Sequence, residues 1–402
     1  MFATVEFVSI YLDHAASTPL RPESREAWLD AAAVVGNASS IHTNGQSARR
    51  MLEDARERLA AALECDPVEI VITSGGTESV NLAVKGLWGT RRHGTSEIVL
   101  PDGEHHASID PVDWLARREG ARIRRVPLTP AGGIREADFS AALPGAALAT
   151  ALIANNEVGT VNPVADLAQA AAAEGVPLHL DAIAAFGHVP VAFSTLRGDA
   201  RPGTGLLAMS VSAHKIGGPI GVGALVVARS ARLDPLVHGG GQQRGLRSGT
   251  QDVAGAAAFA VAAELAVSEL AVESVRLSRM RNRLIEGILA TVPDAQPLGD
   301  PRDRLPGNAH VLFRGALGET LLFLLDMSGI SASTGSACQA GVPEPSHVVM
   351  AMGHSDREAR EVLRFTLGRT TTDADIDALL AALPSAVERA RSASGSRPGG
   401  AA

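Results

Sequence analysis

Lysine occurs only twice in this chain, as Lys85 and Lys215, while arginine supplies the rest of the positive charge. Lys215 stands in "SVSAHKIGGPIGVGAL" (210–225), after a strand-like run and before a glycine-rich stretch. An amine differs from a guanidinium in that it can lose its proton and form a Schiff base with a carbonyl. In a sequence furnished with arginine, an amine kept at this place points to that chemistry. Lys85 closes a helical pattern where a positive charge suits the dipole, and it needs no such reading.

Three further groups have types and surroundings that suit chemistry. "TSGGTES" (73–79) follows a strand pattern and opens a helix. There the glycines let the backbone approach an anion and free N–H groups attract it, with the Thr77 hydroxyl as a further donor. No lysine follows these glycines, so the stretch is not a nucleotide P-loop. Asp181 ends the apolar run "PLHLD", where a carboxylate is costly unless it meets a cation or several donors. His105 in "GEHHAS" follows "EIVLP" and has a ring able to stack on a flat ligand. Each of these also has a plainer reading: an ordinary helix cap at Thr77, a strand-end cap at Asp181, a surface polar residue at His105.

The elements that must position them are legible as short β-branched runs alternating with alanine-rich helical patterns from about residue 69 to 228. This alternation predicts an α/β fold with a mostly parallel sheet. Ligands of such sheets sit beyond the carboxyl ends of the strands, where "TSGGTES", "NNEVG" (155–159), "DAIAA" (181–185) and "SAHK" (212–215) all fall. A phosphate cradle, a buried carboxylate and an amine at three strand ends meet the needs of pyridoxal 5′-phosphate. The helix N-terminus takes its phosphate, the aspartate keeps its ring nitrogen protonated, and the lysine carries it. We expect a large α/β domain over 15–260, a smaller α+β domain from 1–14 plus 261–390, and a disordered small-residue tail over 391–402.

The bulk composition excludes several alternatives. The chain has 402 residues, 46% of them hydrophobic and 20% charged, enough for a large core. A net charge of −8 without a dense basic run gives no nucleic-acid surface. No secretory leader and no stretch long and apolar enough to span a bilayer is evident, and the alanine-rich run around 254–266, interrupted by Glu264, reads as a buried helix. A soluble, cytoplasmic protein without membrane contact is expected. Two cysteines without a CxxC or a Cys/His cluster argue against a disulfide framework or a structural metal site. Cys65 reads as a small buried hydrophobe. Cys338, in "STGSACQAGVPEPSH", is surrounded by glycines, small residues and prolines, which describes an exposed mobile loop with a usable thiol.

Taken in order, "YLDHAAST", "GNASSIH", "TSGGTESVNLAVKG", "EHHAS", "NNEVG", "SAHKIGGPIGVGAL", "GGGQQRGLRSGT", "STGSAC", "PSHVVMAMG" and "LRFTLGRTTT" resemble the cysteine desulfurases. These belong to the class V aminotransferase group of pyridoxal-phosphate enzymes with fold type I, and the likeness runs over nearly the whole chain. It implies a Schiff base at Lys215, Asp181 on the ring nitrogen, and His105 stacked on the ring and acting in acid/base steps. Gly76, Thr77, Ser212 and His214 would hold the phosphate. Thr250 would reach the phosphate of a partner subunit in a homodimer, and Asn156 and Arg364 would bind the substrate. Arg364 suits an amino-acid carboxylate because its fork can bind both oxygens. Cys338 would take sulfur from L-cysteine as a persulfide, leaving alanine, and could transiently ligate an iron–sulfur centre.

The stretch from Cys338 to Pro345 resembles the longer loop of the group that supplies iron–sulfur scaffolds. A tRNA thiolation enzyme or a DNA sulfur-modification system is a further candidate acceptor. One departure stands out: the family usually has glutamine three residues after the aspartate, on the cofactor's phenolic oxygen, where this chain has Ala184. The alternatives are selenocysteine lyase, another C–S lyase or aminotransferase, or a catalytically weak sulfur-transfer scaffold. The thiol of "GSAC" speaks against a transaminase, which has no use for it.

Overall fold

The structure, a computed structural model, describes residues 10–335 and 344–395. Cys338 and residues 396–402 lie outside the described residues.

Seven strands build the main sheet: β2 (Ile70–Thr73), β3 (Glu97–Pro101), β4 (Arg122–Val126), β5 (Leu148–Leu152), β6 (Pro177–Asp181), β7 (Gly205–Ser212) and β8 (Gly223–Val227). Their spatial order is β2-β8-β7-β6-β5-β3-β4, with β8 antiparallel to both neighbours and all other pairs parallel. The inner strands are almost wholly buried, as a sheet covered on both faces requires. β4 reads "RIRRV", and its arginines keep an exposed sheet edge from pairing with another chain. The strands are linked by α3 (Gly76–Gly89), α4 (His106–Glu119), α5 (Glu136–Ala142), α6 (Val164–Glu174) and α7 (Phe193–Arg197). The mostly parallel α/β architecture is the one expected.

Two helices that precede the sheet, α1 (Pro22–Ala32) and α2 (Thr43–Leu63), pack on the long α8 (Val253–Thr291). By length and composition α8 suffices to cross a membrane, contrary to the expectation that no stretch does, because Glu264 alone does not break its apolar character. Part of its apolar surface is nonetheless spent inside the protein, while Val267, Val272, Val275 and Leu289 stay exposed. Ala256, Phe259, Ala260, Ala263 and Ala266 join the core of the main sheet. Leu277, Met280, Leu284 and Ile288 join a second core. The passage from one core to the other falls between Ala266 and Leu277, so a division at residue 260 would cut the part of α8 that serves the main sheet.

The second core is built on an antiparallel sheet of β9 (Ala295–Leu298), β10 (Asn308–Phe313) and β12 (Val362–Thr366), with β10 central. It also takes in α9 (Gly318–Asp326) and α12 (Asp373–Gly395). Alongside, β1 (Ile10–Tyr11) pairs in parallel with β11 (Ile330–Ser331). A third apolar cluster joins Val158 to Leu298, Leu312 and the short helix α10 (His347–Ala351), which precedes α11 (Asp356–Arg360). The expectation of disorder from residue 391 is corrected at its start, since α12 runs to Gly395. Arg391 donates to the carbonyls of Arg314 at 2.9 Å and Pro293 at 2.8 Å, which ties the last turns of α12 down.

Candidate active site

A cavity of about 300 Å³ opens at the carboxyl ends of the main-sheet strands, lined among others by Gly76, Thr77, His105, Asn156, Asp181, His214 and Lys215. Each group arrives at the end of its own strand: β2 leads into Gly76, β3 towards His105, β5 towards Asn156, β6 ends on Asp181, and β7 runs into the turn Ala213–Lys215. The parallel sheet therefore does the positioning, because strands side by side deliver their ends to one crevice.

The Lys215 Nζ donates to the carbonyls of Ala15 at 2.5 Å and Ala16 at 3.0 Å. Burial, and then the Arg364 charge, push its pKa down to about 8, against the pull of Asp13 and Asp181. The amine is thus brought close to its neutral, nucleophilic form at physiological pH. Asp181 is buried at the end of β6, and its Oδ1 accepts the Ile183 N–H at 2.9 Å. Desolvation raises its pKa to about 6, which the Ile183 hydrogen bond and the Lys215 charge only partly offset. Among the described residues it makes no ion pair, so a cationic ring nitrogen would supply the partner it lacks.

The anion end is equally pointed. No side chain caps the N-terminus of α3, so its first N–H groups are free to bind a ligand. A Cβ on Gly76 would stand 2.3 Å from Ile183 Cδ1 and 3.4 Å from Ser212 Cβ, which demands glycine where the backbone borders the cavity. The Ser212 hydroxyl beside it is buried and has no hydrogen-bond partner among the described residues, although Ser212 itself does not line the cavity. His214 is held neutral, its pKa lowered to about 4 by burial and the Lys215 charge.

His105 is the N-cap of α4, its Nδ1 accepting the Ala107 N–H at 3.0 Å. The neutral ring therefore carries its proton on Nε2, and burial followed by the Lys215 charge lowers its pKa to about 4. In this position it is a hydrogen-bond donor, and taking up a proton at Nε2 would first require giving up the cap.

Arg364 and Thr250 are not part of the cavity wall. Arg364, buried on β12, gives one Nη to Asp13 Oδ1 at 2.8 Å and the other to the carbonyl of Asn156 at 2.9 Å, while its Nε is buried without a hydrogen-bond partner. Thr250 is exposed, on a loop held to the start of α3 by an Arg247–Glu78 ion pair at 2.9 Å. Ala184 lines the cavity, together with His188. Cys338 lies outside the described residues. Cys65 is inert, its pKa pushed up to about 12 mainly by burial.

Sequence reasoning passed over Glu104, Glu157 and Asp13, although all three sit inside the motifs quoted above. Glu104 is fully buried, with Oε1 accepting the Leu152 N–H at 2.8 Å, and its pKa is raised to about 8, chiefly by desolvation. The signal available was its adjacency to His105, yet only the fold shows that the side chain turns inwards.

The family model "Aminotransferase class-V" matches residues 10–379. An IscS-like cysteine desulfurase of Mycobacterium tuberculosis is 49% identical over 95% of this chain and 97% of its own length. A cysteine desulfurase of Cereibacter sphaeroides is 41% identical over 96% of this chain and 97% of its own length. Among solved structures, a NifS-like protein superposes with a TM-score of 0.87 at 30% identity, covering 95% of this chain and all of that one.

Proposed function

The chain belongs to the class-V aminotransferases and, within them, to the cysteine desulfurases, and from that premise we propose its reaction. It holds pyridoxal 5′-phosphate on Lys215 and converts L-cysteine and the Cys338 thiol into L-alanine and a Cys338 persulfide. The observation that carries this reading is the placement of the Lys215 amine and the unpaired Asp181 carboxylate at neighbouring strand ends of one cavity, with a free helix N-terminus beside them.

The bound cofactor supplies the electron sink that makes the Cα–H bond of an attached amino acid acidic. The chain does the rest. Gly76, Thr77, Ser212 and His214 hold the phosphate, and the Ser212 hydroxyl gains there the partner it otherwise lacks. Asp181 keeps the ring nitrogen protonated, and His105 covers the ring and donates from Nε2. Once L-cysteine has displaced it, the Lys215 amine moves the α-proton, and the Ala15 and Ala16 carbonyls receive it as an ammonium. Asn156 and Arg364 orient the substrate carboxylate. The Cys338 thiolate attacks the substrate sulfur, forming the S–S bond of the persulfide while the C–S bond electrons stay with Cβ; one proton is delivered to Cβ, and the Lys215 ammonium returns its proton to Cα to complete alanine.

We place this activity in the cytoplasm, in a homodimer whose exposed Thr250 reaches the partner's cofactor phosphate. Ile41 and Ile220, both more than three-quarters exposed, are apolar surface that such an interface would cover. We assign the persulfide sulfur to iron–sulfur cluster assembly, in keeping with the length of the Cys338 segment, with tRNA thiolation as a further outlet. The test is to incubate the purified protein with L-cysteine and dithiothreitol and to measure alanine and sulfide together. Equal yields are expected, whereas pyruvate and ammonia would replace the reading by a lyase.

A further inference from the structure

We infer that Glu157 is a positioning residue that holds the chain following Cys338 against the loop bearing Asn156, an inference that rests on the desulfurase reading. Glu157 is almost completely buried, one residue past Asn156 of the cavity wall. Its own backbone is rigid, because Asn155 Oδ1 accepts the N–H groups of Glu157 at 2.9 Å and Val158 at 3.0 Å. Its carbonyl accepts from Asn308 Nδ2 and meets His310 Nδ1, each at 3.0 Å, which leaves its side chain free to face the segment.

Cys338 falls between Gly335 and Glu344 in the sequence, and the chain that follows it comes to this carboxylate. On the far side, the Ser346 hydroxyl donates to Glu157 Oε2 at 2.5 Å while accepting the Val349 N–H at 3.1 Å as the N-cap of α10. A hydroxyl bonded to a buried carboxylate is among the stronger tethers a protein makes. On the near side, Gly335 has φ +87°, and a Cβ there would stand 3.0 Å from His310 Cε1 and 3.4 Å from Glu157 Oε2. The tight neighbour there is the His310 ring, the positive φ itself favours glycine, and the Gly335 N–H donates to the Ser333 hydroxyl at 3.0 Å. His347, next to Ser346, meets the carbonyl of Glu104 through Nε2 at 3.0 Å, so the same stem also touches the loop that bears His105.

The carboxylate therefore sets where the chain that follows Cys338 is anchored, relative to the substrate pocket. A thiol tethered at a fixed origin attacks a bound substrate far more often than one whose tether has come loose. Neither Glu157 nor Ser346 lines the cavity, so their loss should fall on persulfide formation and spare ligand binding.

The test uses cofactor-loaded protein. The rate of persulfide formation on Cys338 after L-cysteine is added is followed by mass spectrometry. Binding of L-alanine, which lacks the sulfur, is titrated through the cofactor absorbance. Glu157→Ala and Ser346→Ala should each slow persulfide formation about tenfold, and the double variant should be no slower than the worse single one. Glu157→Gln, which keeps a carbonyl to accept from Ser346, should stay within about threefold of the unaltered protein. L-alanine affinity should change less than twofold throughout. The inference is overturned if Ser346→Ala keeps the full rate, or if L-alanine affinity falls in step with the rate, the sign of a general loss of structure. Should Glu157→Ala not fold, Ser346→Ala, which removes a single hydroxyl, decides. An unaltered protein that forms no Cys338 persulfide would refute the desulfurase reading and this inference with it, whereas a normal parent with unaffected variants refutes the inference alone.

Discussion

The cavity wall and the stem of the Cys338 segment meet at the loop from Asn155 to Gly159, but they are built on opposite plans. In the wall, each reactive group ends or follows a strand of the main sheet, whose ladder of hydrogen bonds fixes it from both sides except at the edge strand β2, which pairs with β8 alone. The wall also strips its charges of solvent: Lys215 is pushed down to about 8 and Asp181 up to about 6, both mainly by burial. In the stem, the chain is held by a few discrete contacts. Ser333 and Arg364 exchange backbone hydrogen bonds of 3.2 and 2.6 Å, and Ser346 bonds to Glu157 at 2.5 Å. The contrast follows from what each region must do. Cofactor chemistry needs groups that do not move, whereas a thiol that collects sulfur in one place and gives it up in another needs a tether.

If that division is right, the two reactive side chains should fail in different ways, and this is the largest effect to expect. Lys215→Ala should abolish turnover by at least three orders of magnitude and also remove the visible absorbance of the cofactor-loaded protein. Cys338→Ala should abolish persulfide formation to the same degree and leave that absorbance, and its response to L-alanine, unchanged. Spectra and alanine yields on the two variants check the pair. A Cys338→Ala protein that still releases sulfide at the full rate would erase the distinction between wall and stem.

A second effect concerns the cost of desolvating the wall, and it is read in stability. Glu104 has its pKa raised to about 8 in the folded chain, against an ordinary glutamate value near 4.5. A group with a raised folded-state pKa contributes stability that is full below the unfolded value and is lost as pH rises through the folded one. The cofactor-free protein should therefore lose on the order of a few kcal/mol between about pH 5 and 8 from this residue alone. Asp181 acts in the same direction over the lower part of that range. Glu104→Gln keeps an oxygen for the Leu152 N–H and cannot ionise, so its urea midpoint should fall less steeply over this range. Buried histidines such as His179 and His310, both held near 3, act in the opposite direction at acid pH, but equally in both proteins. Parallel curves would show that Glu104 is not desolvated as the fold places it.

How much of this was legible beforehand differs between the same two regions. The wall could be read from the chain because period and composition announce strands, and because a lone lysine, a strand-end aspartate and a glycine pair are unusual in their surroundings. The fold then placed Lys215, Asp181, Thr77 and Gly76 on one cavity, as strand ends in a parallel sheet must be. The stem was opaque. Nothing in "NNEVG" says that Glu157 faces Ser346 across 189 positions of sequence, since that contact depends on how two separately packed cores abut. The tether of Arg364 to Asp13, across 351 positions, was hidden for the same reason. α8 was misjudged because a helix that serves two cores is apolar along most of its length, so its composition alone resembles a membrane span.

The smallest effect is the most discriminating, because it should have opposite signs with and without the cofactor. The Ser212 hydroxyl is buried at the end of β7 with no hydrogen-bond partner among the described residues, close to Gly76 at the start of α3. A buried hydroxyl without a partner costs about 1–3 kcal/mol of stability. Ser212→Ala removes that cost, so the cofactor-free variant should be more stable by roughly 1 kcal/mol, a shift of its urea midpoint to higher concentration. When phosphate is bound the same hydroxyl becomes a donor to an anion, and its loss should weaken pyridoxal 5′-phosphate binding about five- to tenfold, or roughly 1 kcal/mol. An equilibrium titration of the cofactor, set beside the denaturation curve, measures both. If Ser212→Ala destabilises the cofactor-free protein, the hydroxyl already has a partner there and is not waiting for a phosphate. If stability rises but affinity holds, the cradle is made by the α3 N-terminus, Thr77 and His214 without Ser212, and the end of β7 carries less of the recognition than its geometry assigns to it.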